Sequence, residues 1–301
     1  MVLVGVTVLF AFLLAWWFYQ GHVNDQVLLA ALAKTNALEP GGWDLEDLER
    51  QRLPIADKDN SGLFLQSCKK LRPQRWPYWD GWNPTGEDDE HTQEAFEHLQ
   101  KMGELPPNMR LSYRQYSALR NEICRAEPYL TEIRKVSEMP WGRYPIKFAP
   151  DGISTLLPFT QDARDFANSL GWDALLRTEE GNLPGALEDC RGMLNAGRSV
   201  GDEPFLISAL VRFALRAIVL QRLERILAQG EVSEEDLFEW QQALEREENE
   251  PILYRAARGD RAMLDRMMAA LQSGRISYSQ MRRMMAQGSS ANLYGLEDWA
   301  F

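Results

Sequence analysis

Cysteine and histidine are both scarce, with three of each in a chain of 301 residues. Cys68, Cys124 and Cys190 lie far apart without CxxC spacing. That excludes a disulfide framework and a zinc cluster of the ribbon type, and leaves small buried apolar residues as the reading of all three. Positive charge is short as well: 33 Lys and Arg stand against 44 Asp and Glu, a net charge of −11. Phosphate recognition needs a basic face, so nucleic acid is excluded as a partner. No catalytic signature stands in the chain, and no residue is assigned a catalytic, cofactor-binding or metal-binding role.

What is present, first, is an apolar run. Residues 1–19 carry no charged side chain, and Trp16, Trp17 and Tyr19 close the run where an aromatic belt belongs. At about 1.5 Å per residue such a run just spans the hydrocarbon of a bilayer. A cleaved signal peptide would have a basic start and a small-residue cleavage site directly after the run, and neither is there. The expectation is an uncleaved single-pass transmembrane anchor over residues 1–20, with residues 1–19 contacting the lipid bilayer. No Lys or Arg precedes the span and only Lys34 follows within range. This weak charge bias puts the body on the periplasmic, extracytoplasmic side.

Residues 21–60 read as a juxtamembrane helix and linker. A short helix from Val23 to Ala37 is stopped by Glu39-Pro-Gly-Gly42, and an amphipathic helix runs from Trp43 to Leu53. Residues 61–271 form the helical domain, organised around a central hairpin at 153–229, and residues 272–301 are a weakly patterned tail. In the hairpin, Phe166, Leu170 and Ala174 line one helix, which Gly181 ends. Ala186, Leu187, Cys190, Met193 and Leu194 line the next. Gly181 and Ala186 match a tetratricopeptide hairpin in part, although Arg177 stands where that pattern has a large aromatic. Gly201-Asp-Glu-Pro204 predicts a helix start with Asp202 as the cap. The helix that follows, to about Leu227, is apolar around most of its circumference, which predicts burial between neighbours. Its one polar stripe is Ser208, Arg212 and Arg216, predicted to pair with Asp165, Asp173 or Glu180. Ser233-Glu-Glu-Asp236 opens a further helix with Leu237, Trp240 and Leu244, and Pro251 opens the last, kinked near Gly259.

Three stretches imitate chemical sites. Asp57, Asp59, Ser61 and Gly62 occupy calcium-loop positions, but the bidentate carboxylate is replaced by Cys68, so a helix cap is expected there. Trp76, Tyr78, Trp79 and Trp82 beside Arg72 and Arg75, within residues 72–86, offer a stacking platform for a carbohydrate or other ligand, or a loop pinned to the core by its aromatics. Glu87, His91, Glu94 and His98 fall on one helical stripe, the best metal-ligand geometry in the chain, beside an apolar face where solvated polar residues are expected anyway. The methionines of the last helices, from Met263 to Met285, read as a core-facing stripe.

Leu53-Pro-Ile-Ala-Asp57, Asn60-Ser-Gly-Leu-Phe64, Arg143-Tyr-Pro-Ile-Lys-Phe148, Leu156-Leu-Pro158, Gly201-Asp-Glu-Pro-Phe-Leu-Ile-Ser208 and Arg258-Gly-Asp-Arg-Ala262 together resemble a group of uncharacterised bacterial membrane-anchored proteins, abundant in planctomycetes. The resemblance covers residues 53–271 and implies an N-terminal anchor with a helical body. It implies no activity, since the matching residues are helix ends and packing positions, and the Trp-rich segment departs from the group's pattern. The expected fold is all-α: a transmembrane helix, then an antiparallel bundle or short tetratricopeptide-like solenoid. The expected function is a membrane-tethered interaction or scaffold protein without catalytic activity that binds a protein partner and needs no cofactor. The alternatives are a metal-dependent enzyme using His91, Glu94 and His98, and a ligand binder using the Trp-rich segment.

Overall fold

The computed structural model describes residues 2–79, 99 and 101–283, with side chains from residue 10 onward. Among these the chain is all-helical. It divides into two units, residues 1–51 and 52–301.

The first unit is dominated by α1 (Val2–Leu38), one unbroken helix in which the stretch from Val23 to Ala37 continues directly from the apolar run. Nothing interrupts it because no Pro or capping residue stands between the two parts, and Gly21 alone costs only about 1 kcal/mol. Phe10, Phe12, Leu13, Trp16, Trp17, Phe18 and Tyr19 are all exposed, on every side of the helix. From Gln20 onward the sequence turns polar, with His22, Asn24 and Asp25. Among the described residues no helix is long and apolar enough to cross a membrane. The first half of the apolar run, residues 1–9, lies outside the described side chains. Glu39-Pro-Gly-Gly42 ends α1 as expected, with Gly42 at φ +85°. Asp44 then caps α2 (Leu45–Gln51) by accepting from the Asp47 amide at 2.6 Å.

The second unit holds the core. Asn60 caps α3 (Ser61–Cys68), its Oδ1 accepting from the Gly62 and Arg143 amides at 3.0 and 2.9 Å. A capping box of Ser112 and Gln115 starts α4 (Tyr113–Ile133), which continues through Pro128 rather than breaking there. The central hairpin is α5 (Phe159–Glu179) and α6 (Leu183–Arg198). Its turn is the one read from the sequence: Gly181 takes φ +79°, the left-handed conformation that costs a glycine little, and the Asn182 side chain caps α6. Helix α6 is central, packing on α3, α5, α7 (Leu206–Gln229) and the 3-10 turn Arg134–Glu138. Asn195 fixes that turn by donating to the Val136 and Ser137 carbonyls at 3.0 and 2.9 Å.

Two expectations fail around α7. It starts at Leu206 without a side-chain cap, because the Asp202 carboxylate is already engaged by Arg52 Nε at 2.8 Å and the Leu53 amide at 2.9 Å. And α7 is not buried all round: Leu206, Leu220 and Leu227 are exposed, while Leu215, Val219, Leu223 and Ile226 enter the main core and Ala209 a small cluster with Ile252 and Ala256. Helices α8 (Glu234–Glu248), opened by the Ser233 cap, and α9 (Ile252–Gln272) follow. Helix α9 runs without interruption through Gly259. A Cβ there would lie 1.5 Å from the Pro204 carbonyl oxygen, so the glycine permits close approach to that segment. Met267 faces inward on α9 and Met268 outward, so the methionines only partly line the core. Cys68 and Cys190 are buried as expected, whereas Cys124 is exposed on α4.

Candidate functional site

The stripe of Glu87, His91, Glu94 and His98 lies outside the described residues, as does Trp82. Among the described residues no three His, Cys, Asp or Glu side chains converge as metal ligands. The described part of the Trp-rich segment, residues 72–79, turns two of its tryptophans into the core. Trp76 donates Nε1–H to the Glu122 carbonyl at 2.8 Å and meets Tyr129 edge-on, and Trp79 meets Trp172 edge-on. Both rings are buried, and of the segment's described aromatics only Tyr78 remains exposed. Beside Trp76 lies a hollow of about 350 Å³ in whose wall Lys69 holds Asp162 at 2.6 Å and Arg72 holds Asp165 at 3.0 Å.

The polar stripe of α7 is an ion-pair centre with a different partner from the one expected. Arg212 and Arg216 pair with Glu247 and Glu250, at the end of α8 and just after it. Arg198 joins at 2.6 Å to Glu247 and Arg255 at 3.0 Å to Glu250. Burial would push the Glu250 carboxyl up, but hydrogen bonds and charge from Arg212, helped by Arg255 and Arg216, outweigh it and hold it below the usual glutamate range. The expected partner Asp173 is engaged elsewhere. Arg134 holds it at 2.7 and 3.1 Å, and Arg177 Nε lies 3.5 Å from Asp173 and 3.3 Å from Asp189. Burial, and then the neighbouring Asp173 charge, raise the Asp189 carboxyl far above the usual range, so it keeps its proton.

Helix α8 separates two surface grooves. On one side lies a groove of about 880 Å³, with Leu53, Ile55, Pro140 and Trp141 at its lip and the Arg212–Glu250 pair in its wall. Trp141 is 60% exposed, carried there by the extended segment 139–149. On the other side lies a groove of about 440 Å³ between α7 and α8, apolar at its base and edged by Glu224, Gln241, Glu245 and Glu248. Sequence reading missed both. The one signal for the second was the excess of apolar surface: an all-round apolar α7 beside a stripe of Leu237, Trp240 and Leu244 exceeds what two helices cover between themselves. No family model, curated protein or solved structure matches the chain.

Proposed function

We propose that the protein is a membrane-tethered interaction protein whose helical body binds a protein partner and performs no catalysis. The observation that carries this reading is Trp141, exposed on the lip of the larger groove beside Leu53, Ile55 and Pro140. Partly sheltered aromatic and apolar residues around a satisfied charged wall have the composition of a binding hot spot rather than of a reaction centre. The arginines and glutamates of that wall are committed to one another, which leaves neither a free base nor a nucleophile among the charges of the pairs. Tethering is supported by the exposed apolar residues from Phe10 to Tyr19, which cover all sides of α1 and suit lipid on every side better than water or a one-sided partner. The anchor over residues 1–20, extracytoplasmic placement of the body, tetratricopeptide-like stacking of the hairpin and kinship with the planctomycete membrane-anchored group belong to the same proposal.

The test is a pull-down of the tagged full chain from native membranes solubilised in a neutral detergent, with bound metal assayed on the same sample. A stoichiometric protein partner is expected, and Trp141→Ala should weaken its binding by about 2 kcal/mol, roughly thirtyfold. Recovery of the chain in the soluble fraction before detergent is added would remove the tether. Near-equimolar zinc or iron without a partner, lost on His91→Ala and His98→Ala, would replace the interaction reading with a metal enzyme.

A further inference from the structure

The smaller groove differs from the larger one in having unmatched charge of one sign. We infer that it is a docking site for a basic amphipathic helix of another protein, which lays leucine-like side chains on the groove's base and sets Lys or Arg against its rim. Leu220 and Leu227 of α7 and Leu237 of α8 are 44%, 50% and 44% exposed, and with Leu187, Leu223 and Leu244 they give the groove an apolar base. Between them lies Trp240, only 6% exposed, whose indole N–H has no acceptor. That nitrogen is sealed from the surface, so the ring offers a docked chain only apolar area at the groove's base.

The rim fixes the sign of the occupant. Among the described residues no Lys or Arg lines the groove, and Glu224 and Glu248 are exposed carboxylates without an ion-pair partner. In the larger groove, by contrast, arginine answers each glutamate of the wall pairs. An acidic edge on an apolar floor repels anionic lipid headgroups, so the groove does not rest on the bilayer to which the chain is proposed to be tethered. It attracts a helix with cations flanking an apolar face, a recurring way for one protein to hold another. The groove runs along α8 from Leu237 to Glu248, about three turns, which matches a helical segment rather than a small solute.

This inference adds to the interaction reading but rests on different residues, so the two can fail separately. The full chain in neutral detergent is titrated into a fluorescently labelled synthetic helix of about four turns, leucine on one face and lysine on the other, with anisotropy as the readout. Saturable binding is expected, weakened about fivefold by Glu248→Lys and about tenfold when Glu224→Lys is added. Leu227→Glu should abolish it, whereas Trp141→Ala should leave it unchanged. Asp265→Lys, an equal charge change on α9 outside the groove, should also have no effect. Equal losses from Asp265→Lys and Glu248→Lys would reduce the binding to bulk electrostatics and overturn the inference. So would equal binding of a leucine–glutamate helix. Self-association of the chain that Leu227→Glu removes would give the groove to a second copy and overturn it too.

Discussion

In the α5–α6 hairpin, Asp173 and Asp189 meet Arg134 and Arg177. At the end of α8, Glu247 and Glu250 meet Arg198, Arg212, Arg216 and Arg255. The ingredients are the same, yet the hairpin keeps a proton on one carboxyl while Glu250 at the groove gives its proton up more readily than a free glutamate. Two quantities separate them. Both aspartates are 1% exposed, so desolvation is nearly complete, while Glu250 retains part of its hydration. Donors are also unequally shared: Arg134 serves Glu127 as well as Asp173, and Asp189 receives only a 3.3 Å approach from Arg177. Arginine pairing sustains a carboxylate only where enough donors reach it before burial wins. The hairpin network is a structural element with a neutral acid, and the groove network is an ionised wall.

The comparison breaks most visibly at Asp173. Asp173→Ala leaves Arg134 with only Glu127 and Arg177 with only Asp189 as carboxyl partners, and a loss of about 3 kcal/mol is expected from urea unfolding. A loss below about 1 kcal/mol would mean that the two arginines are adequately solvated without it.

Asp189→Asn comes next, and its effect depends on pH. The folded Asp189 carboxyl holds its proton well above the range in which the unfolded residue loses it. The native state therefore binds more protons, and stability falls as pH rises through and above the ordinary carboxylate range. Asparagine cannot ionise, so the variant should escape that decline and gain roughly 1–3 kcal/mol on the wild type between about pH 5 and 8. Parallel unfolding midpoints for the two proteins across that range would show that Asp189 is ionised in the hairpin.

The smallest effect is expected at Glu250, with the opposite sign. Its folded pKa is depressed, so its contribution is present above the unfolded value and is lost as pH falls through the folded one. Glu250→Gln should cost about 1 kcal/mol at neutral pH, and the difference should vanish by about pH 3. A cost that persists undiminished in acid would assign the role of Glu250 to packing rather than charge.

Sequence patterns exposed the local parts of this molecule well. Gly181, Asn182, Ser233 and Pro251 mark helix boundaries because turns and caps are chemistry between near neighbours. The same logic misled at Asp202, a good cap by composition that long-range contacts with Arg52 and Leu53 take away. Arg212 and Arg216 were legible as ion-paired, since charge on an apolar helix needs a partner, but their partners were not. Asp173, Glu247 and Glu250 are equally suitable acids, and only packing selects among them.

What the sequence alone determined is the all-α character, several of the helix ends, the uncharged run at the N-terminus and the net negative charge. These follow from periodicity, local capping and composition, which act over one or two turns. The tertiary structure decided which side of α7 stays exposed, which carboxyl keeps its proton, that Trp76 and Trp79 go inward, and that α8 stands between a charge-matched groove and an acidic one. Burial and charge pairing are properties of residues brought together from distant parts of the chain, so no pattern along it records them.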